Sequence, residues 1–124
     1  MEIEYTQIKV IGFDADDTLW VNETYYREAE IEFAKLLSKY ETANKIDQEL
    51  FKTEMQNLAL YGYGVKGFML SMIETAIRIS NKTVPVHIIE KTIGYGKDLL
   101  GKPIELLDNI EEALQQLKKK YRLV

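Results

Sequence analysis

The pattern of apolar and polar residues begins with one short strand. The run from Ile8 to Phe13 reads Ile-Lys-Val-Ile-Gly-Phe, which is β-branched and almost continuously apolar, and it ends at an acidic cluster. Such a run is typical of a strand that is covered on both faces of a parallel sheet. We therefore predict a buried first strand that leads directly into an acidic loop.

From about Asn22 the apolar residues recur with the period of a helix, and this period continues through four stretches. The fourth begins near Pro85 and is interrupted by Gly94 and Gly96. Short connections between the stretches predict a small antiparallel bundle. The predicted buried stripes are Ala29, Phe33, Leu36, Leu37 and Tyr40; Leu50, Phe51, Met55 and Leu58; Phe68, Met69, Met72, Ile73, Ala76 and Ile77; and Ile89, Ile93 and Leu100.

After Pro103 the pattern starts again with a fifth helix and a second strand. Asp108 and Glu111 have the spacing of a capping box, and Tyr121–Val124 reads as a strand. The buried stripe of this helix is predicted at Ile110, Ala113, Leu114 and Leu117. Strands separated by helices predict an α/β fold, but two strands cannot bury a doubly wound sheet. We expect either part of a larger domain or a small protein that borrows surface from a partner or a second copy.

The amino-acid composition limits the classes of partner and of site that the chain can have. The chain has 20 acidic and 16 basic residues and a pI near 5.1, so no electrostatic attraction to nucleic acid or to an anionic membrane is expected. It has no cysteine, which excludes a disulfide, a thiolate zinc site and a cysteine nucleophile within it. The acidic first residues do not resemble a signal peptide, and no apolar run is long enough to span a bilayer. We expect a cytoplasmic protein.

The acidic loop Asp14-Ala15-Asp16-Asp17-Thr18 carries the chemistry. In an extended segment alternate side chains point the same way, so Asp14 and Asp16 are expected to face one ligand at the carboxyl end of the strand. An ionised carboxylate can attack phosphorus when a cation such as Mg²⁺ screens the charge repulsion. The second acid can protonate the leaving oxygen and then deprotonate water.

Two other interpretations of the local motifs are weaker. A solvated turn that caps a helix would also use acidic residues, but it does not account for a buried-type strand that runs into three of them. A calcium loop would need Gly and Glu where the chain has Leu19 and Tyr25. The sequence Gly62-Tyr63-Gly64-Val65-Lys66-Gly67 matches Gly-x-Gly-x-x-Gly, but it follows a helix rather than a strand, so we predict an interhelical turn.

An apolar strand followed by Asp-x-Asp-x-Thr-Leu resembles the first motif of the haloacid dehalogenase superfamily, and Phe-Asp-Ala-Asp-Asp-Thr-Leu-Trp resembles its phosphatase branch. The resemblance implies that Asp14 is the nucleophile and Asp16 the general acid/base. It also implies that the Asp14 carboxylate and the Asp16 backbone carbonyl hold Mg²⁺, and that Thr18 supports the loop. An acid at position 16 favours phosphoryl transfer over carbon–halogen cleavage.

The resemblance also implies the domain organisation. Residues 1–20 and 102–124 are expected to form a partial, doubly wound α/β core, and residues 21–101 an inserted helical cap. The phosphate-binding hydroxyl of the family's second motif would follow the second strand, so the chain is predicted to stop before it. Cap loops in the family face the active site, which makes Tyr61, Tyr63 and Lys66 candidates for substrate contacts.

The leading hypothesis is a phosphatase for a small phosphorylated metabolite that works through an aspartyl phosphate. A phosphomutase on the same scaffold is the near alternative. A non-catalytic helical interaction module is the alternative from another class, because the layout lacks the second half of the catalytic machinery. Self-association to cover the incomplete core is also expected.

Overall fold

The computed structural model describes residues 7–15, 23–102 and 106–124. The predicted order of a strand, four helices, a fifth helix and a strand is confirmed. The elements are β1 (Val10–Ile11), α1 (Glu23–Leu36), α2 (Ala43–Tyr61), α3 (Val65–Ile79), α4 (Val86–Leu100), α5 (Ile110–Lys118) and β2 (Arg122–Leu123). None of the helices in these ranges combines the length and the apolar character that a membrane span requires.

The described residues divide into two compact units. One contains those of Met1–Thr24 and Pro103–Val124, and the other contains Tyr25–Lys102. The two ends of the second unit lie together, because the Lys102 ammonium is 5.3 Å from the centre of the Tyr25 ring. The chain therefore leaves and re-enters the helical unit at one place, as an insertion between two parts of another unit requires.

In the first unit, β1 and β2 pair in parallel, with Val10 opposite Arg122 and Ile11 opposite Leu123. The Arg122 N–H donates to the Lys9 carbonyl at 2.8 Å, and the Val124 N–H donates to the Ile11 carbonyl at 3.0 Å. The evenly alternating donors are those of a parallel ladder. The Phe13 N–H continues it with a 3.0 Å bond to the Val124 carbonyl.

Three predictions for the first unit are wrong in detail. The predicted buried stripe of α5 does not form within the described residues, where no residue of α5 is buried and Ala113 is exposed. The strand is not buried on both faces within the described residues, since Val10 is 50% exposed. The capping box at Asp108 and Glu111 does not form either: the N-cap of α5 is Asn109 in the left-handed region (φ 64°), without a side-chain cap. A backbone bond from the Ile110 N–H to the Leu107 carbonyl forms the turn instead, so the register of the helix start moves one residue past Asp108.

The second unit has one hydrophobic core to which all four of its helices contribute. Phe33 and Leu37 are completely buried, and so are Ile46 of α2 and Met72 of α3. The Tyr26 and Phe68 rings meet edge to face with centroids 5.0 Å apart, which joins α1 to α3. The other buried apolar residues are Ala29, Ala34, Leu50, Phe68, Ala76 and Ile88.

The buried face of α2 differs from the prediction. Phe51 is 62% exposed and Met55 is 47% exposed, while Ile46, Leu50 and Thr53 are buried. On α3, Ile77 is also exposed, at 39%. On α4, Leu100 is 58% exposed, and the buried residues are Ile88, Thr92 and Gly96 instead of the predicted stripe. The sequence of α2 contains apolar residues on two sides of the helix, and only one side packs into the bundle.

The contact between α2 and α3 is a row of polar side chains, which we call the α2–α3 polar row. Thr75 Oγ1 donates to Thr53 Oγ1 at 3.1 Å, and the Arg78 guanidinium donates to Thr53 Oγ1 at 2.8 Å and to Glu49 Oε2 at 3.0 Å. Because buried polar groups are costly unless they are paired, these bonds fix the register of the two helices. The row consists of Glu49, Thr53, Asn57 and Tyr61 of α2 with Ser71, Glu74, Thr75 and Arg78 of α3.

The end of α3 is closed by the backbone. The Lys82 N–H donates to the Ile77 carbonyl at 2.8 Å, and the Asn81 N–H donates to the Arg78 carbonyl at 3.1 Å. This is the Schellman pattern, with Asn81 left-handed at φ 53°. Val86 then begins α4 after Pro85, whose fixed φ suits a helix start.

Helix α4 continues through both Gly94 and Gly96. Gly96 permits a close approach of α4 to α3. A Cβ on Gly96 would lie 2.6 Å from Met69 Sδ and 3.1 Å from Met69 Cβ, whereas a Cβ on Gly94 would meet nothing within 4 Å. Of these two glycines, only Gly96 is therefore required by packing.

We expect Gly96→Ala to destabilise the protein by about 1–3 kcal/mol, because the added methyl group overpacks the contact with Met69. Gly94→Ala is the matched control, and it should stabilise the protein by about 0.5–1 kcal/mol through helix propensity alone. Urea denaturation of the two variants measures both effects. Equal stabilities would contradict the close approach of α3 and α4.

Glu54 makes the stability of the second unit depend on pH. Partial burial, and to a smaller extent the neighbouring Glu30 carboxylate, raises the pKa of Glu54 to about 7. The folded state then holds a proton that the unfolded state releases at its ordinary value of 4.5. Stability from this group is present below that value and is lost as the pH rises towards 7.

We therefore expect Glu54→Gln to flatten the dependence of Tm on pH between 4.5 and 7 and to raise Tm above pH 7. Thermal denaturation followed by circular dichroism across this range is the measurement. The control is Glu90→Gln, at an exposed position of α4. An unchanged slope in the Glu54 variant would show that the Glu54 carboxylate is solvated.

Candidate active site

Asp14 lies at the carboxyl end of β1, one residue past Phe13, whose N–H donates to the Val124 carbonyl beside it. Its side chain is exposed, and the following Ala15 is half-buried. The ladder holds the backbone up to Phe13, so it fixes the direction in which the chain enters the acidic loop. In parallel α/β sheets, ligands bind at this end of the strands.

The other predicted residues of the loop, Asp16 and Thr18, lie outside the described residues. Within residues 7–15, 23–102 and 106–124, no group of three or more Asp, Glu or His side chains could hold a metal ion. Of the predicted metal ligands, the structure therefore positions Asp14 alone. Its carboxylate is a hard oxygen donor of the type that Mg²⁺ prefers.

The first unit also contains a groove of about 440 Å³ at the start of α5. Its lining includes three acidic side chains, Asp108, Glu111 and Glu112. These charges repel a phosphate group, and they outweigh the attraction of the helix N-terminus. The groove is not a candidate phosphate site.

The Gly-x-Gly-x-x-Gly segment forms the turn between α2 and α3, so the prediction of an interhelical turn is confirmed. Gly62 has φ 68° and Gly64 has φ 120°, conformations that residues with a side chain rarely adopt. Between them Tyr63 is 89% exposed. Lys66, in the first turn of α3, is exposed as well.

Tyr61 is held by a network that the sequence did not reveal. Its hydroxyl donates to Glu74 Oε1 at 2.8 Å, and Asn57 Nδ2 donates to Glu74 Oε2 at 2.5 Å. Hydrogen bonding to the Glu74 carboxylate raises the pKa of the Tyr61 phenol, because it favours the protonated form. The network ties the last turn of α2 to α3 directly beside Gly62. The signal that could have indicated the network is the four-residue spacing of Thr53, Asn57 and Tyr61, which places them on one side of α2.

Comparison with known proteins shows the family to which the chain belongs. The fold superposes with a TM-score of 0.87 on the crystal structure of a haloacid dehalogenase-like family hydrolase from Xanthomonas campestris, at 39% sequence identity over 94% of this chain. The chain belongs to the haloacid dehalogenase superfamily. No protein-family model matches it, and none of the curated proteins matches it.

Superfamily membership accounts for both units. The small parallel sheet with α5 is a partial α/β core, and α1 to α4 form a helical cap, as the sequence predicts. The chain spans 48% of the length of the matched hydrolase. The roles of Asp14, Asp16 and Thr18 and the substrate contacts of the α2–α3 turn stay predictions.

Proposed function

We propose that the chain carries the first catalytic motif of a phosphatase that hydrolyses a small phosphorylated metabolite in the cytoplasm. The observation that supports the proposal most directly is the position of Asp14, exposed immediately after a paired parallel strand. The matched structure is described as a haloacid dehalogenase-like family hydrolase, which agrees with a hydrolytic reaction.

The proposed reaction has two steps with Asp14 as the nucleophile. In the first, a carboxylate oxygen of Asp14 forms a bond to phosphorus while the bond from phosphorus to the leaving oxygen breaks, and Asp16 gives that oxygen a proton. In the second, Asp16 takes a proton from a water molecule. That water attacks phosphorus, and the bond to Asp14 breaks to release inorganic phosphate. Both carboxylates return to their initial protonation states.

Mg²⁺ fits the donors of the proposed site, which are all oxygen atoms. The Asp14 carboxylate and the Asp16 backbone carbonyl would hold the ion, and when bound it would screen the repulsion between the nucleophile and the phosphate. Thr18 would support the loop that carries both aspartates.

We also propose that the α2–α3 turn contacts the substrate through Tyr61, Tyr63 and Lys66. A tyrosine that is 89% exposed on a glycine turn leaves a large aromatic surface without cover from the described residues. The Lys66 ammonium is a cation that attracts a phosphorylated ligand, and the bond between Tyr61 and Glu74 holds the base of the turn.

Asp14→Asn should abolish the phosphoenzyme in the complete protein, because an amide is a poor nucleophile towards phosphorus. The measurement is covalent labelling with a phosphorylated substrate, followed by product analysis, in which free phosphate indicates a phosphatase and an isomeric ester a phosphomutase. Asp108→Asn, at another exposed aspartate of the same unit, is the control and should label normally. Labelling that persists in the Asp14 variant would refute the assignment.

Lys66→Ala should raise KM for phosphorylated substrates about tenfold or more with little change in kcat, since it removes an attraction present throughout the reaction. Steady-state kinetics of the complete protein measure this. Lys91→Ala, at an exposed lysine of α4, is the matched control. The same KM in both variants would remove Lys66 from the site and leave the assignment of Asp14 untouched.

A further inference from the structure

Helix α2 has a second face that carries large apolar residues in its C-terminal half and that the described part of the bundle leaves partly exposed. We call it the α2 seam, and it consists of Asn44, Gln48, Phe51, Met55 and Leu58. These residues follow one another at intervals of four, three, four and three, which is the spacing of the contact positions in a coiled coil. Phe51 and Met55 are 62% and 47% exposed, and Asn44 and Gln48 are exposed.

The neighbouring helices of the bundle contact other sides of α2. The α2–α3 polar row occupies the side that faces α3. Helix α1 approaches along the edge marked by Asp47, whose carboxylate is 3.3 Å from the Arg27 guanidinium. The described part of the chain therefore leaves Phe51 mostly exposed and Met55 about half exposed. Two adjacent large apolar side chains on one helical stripe form a patch rather than scattered exposure.

The charges along the two edges of the α2 seam have opposite signs. One edge carries Lys45 and Lys52, and the other carries Asp47. Glu54 follows on the same edge, but its raised pKa of about 7 leaves it only partly charged at neutral pH. Lys45 pairs with Glu49 of its own helix at 3.3 Å. Lys52 is exposed and, among the described residues, forms no ion pair.

We propose that the α2 seam binds the same seam of a second copy of this chain, with the two α2 helices parallel. In a parallel pair, Asp47, which directly precedes the contact position Gln48, faces the residue five places further along the partner helix, which is Lys52. Lys52 of each copy then meets Asp47 of the other, whose carboxylate already pairs with Arg27 of its own copy at 3.3 Å, so each contact adds a second cation to that carboxylate. A two-fold axis along the seam generates this contact twice.

The charge pattern selects this orientation over the reverse. In an antiparallel pair, the lysine edge of one helix would face the lysine edge of the other, and the acidic edges would also face each other. Like charges held at that distance destabilise the pair. The absence of any acidic residue from the seam itself suits a contact between two identical surfaces. This self-association is separate from the one expected to cover the incomplete core.

Sedimentation of the complete protein over a range of concentrations tests the association. The expected result is a concentration-dependent dimer, which Phe51→Glu converts to a monomer with an unchanged circular dichroism spectrum. Val86→Glu is the matched control, since Val86 is 72% exposed on α4 and outside the seam. A wild-type protein that is monomeric at every concentration, or a dimer that Phe51→Glu leaves intact, would overturn the proposal. A larger complex in which another protein occupies the α2 seam would also overturn the proposal.

Single cysteines test the orientation, because these 124 residues contain none. In a parallel pair, Gln48→Cys and Met55→Cys should each form a disulfide with its own counterpart under mild oxidation, after replacement of any cysteine elsewhere in the complete protein. Leu60→Cys, at an 80% exposed position on another side of α2, is the control and should not cross-link. An antiparallel pair would cross-link at most one of the two seam positions, and that result would contradict the proposed geometry.

Discussion

The parallel pairing of β1 with β2 is the constraint on which the rest of the structure depends. Parallel strands cannot be joined by a tight turn, so the chain must leave the end of β1 and return to the start of β2 by a crossover. Here the crossover contains every helix that the structure describes. The contact between Lys102 and Tyr25 closes the helical unit at its ends, so an independent bundle can be inserted without disturbing the two strands.

The helices could be predicted from the sequence because each has an apolar stripe of its own, but the buried side of α2 could not. Phe51 and Met55 have the same spacing as core residues, and Thr53 does not look like one. The outcome depends on Arg78 and Thr75 of α3, which supply partners for the Thr53 hydroxyl. Periodicity locates stripes on a helix, whereas the choice between two stripes is made by a neighbour distant in sequence.

Part of the candidate site could likewise be predicted from the sequence, and part could not. The position of Asp14 followed from local sequence, since a strand that runs into an acidic cluster places that residue at the strand end. Gly96 and Glu74 could not be found locally. The role of Gly96 depends on the approach of Met69, and the role of Glu74 depends on Asn57 and Tyr61 from the preceding helix. Asp108 failed as a cap because the backbone turn at Asn109 already satisfies the helix start.

Helix α2 buries Ile46 and Leu50 in the core, but it also places a polar row towards α3 and leaves Phe51 and Met55 towards solvent. The arrangement costs free energy twice, because hydroxyl and amide groups lose water at the row and large apolar groups remain hydrated at the seam. The first cost is offset by hydrogen bonds that specify one register between α2 and α3. The second is offset by nothing in the described part of the chain. A contact between two copies of the seam would remove Phe51 and Met55 from water, and it would do so without altering the interior of the bundle.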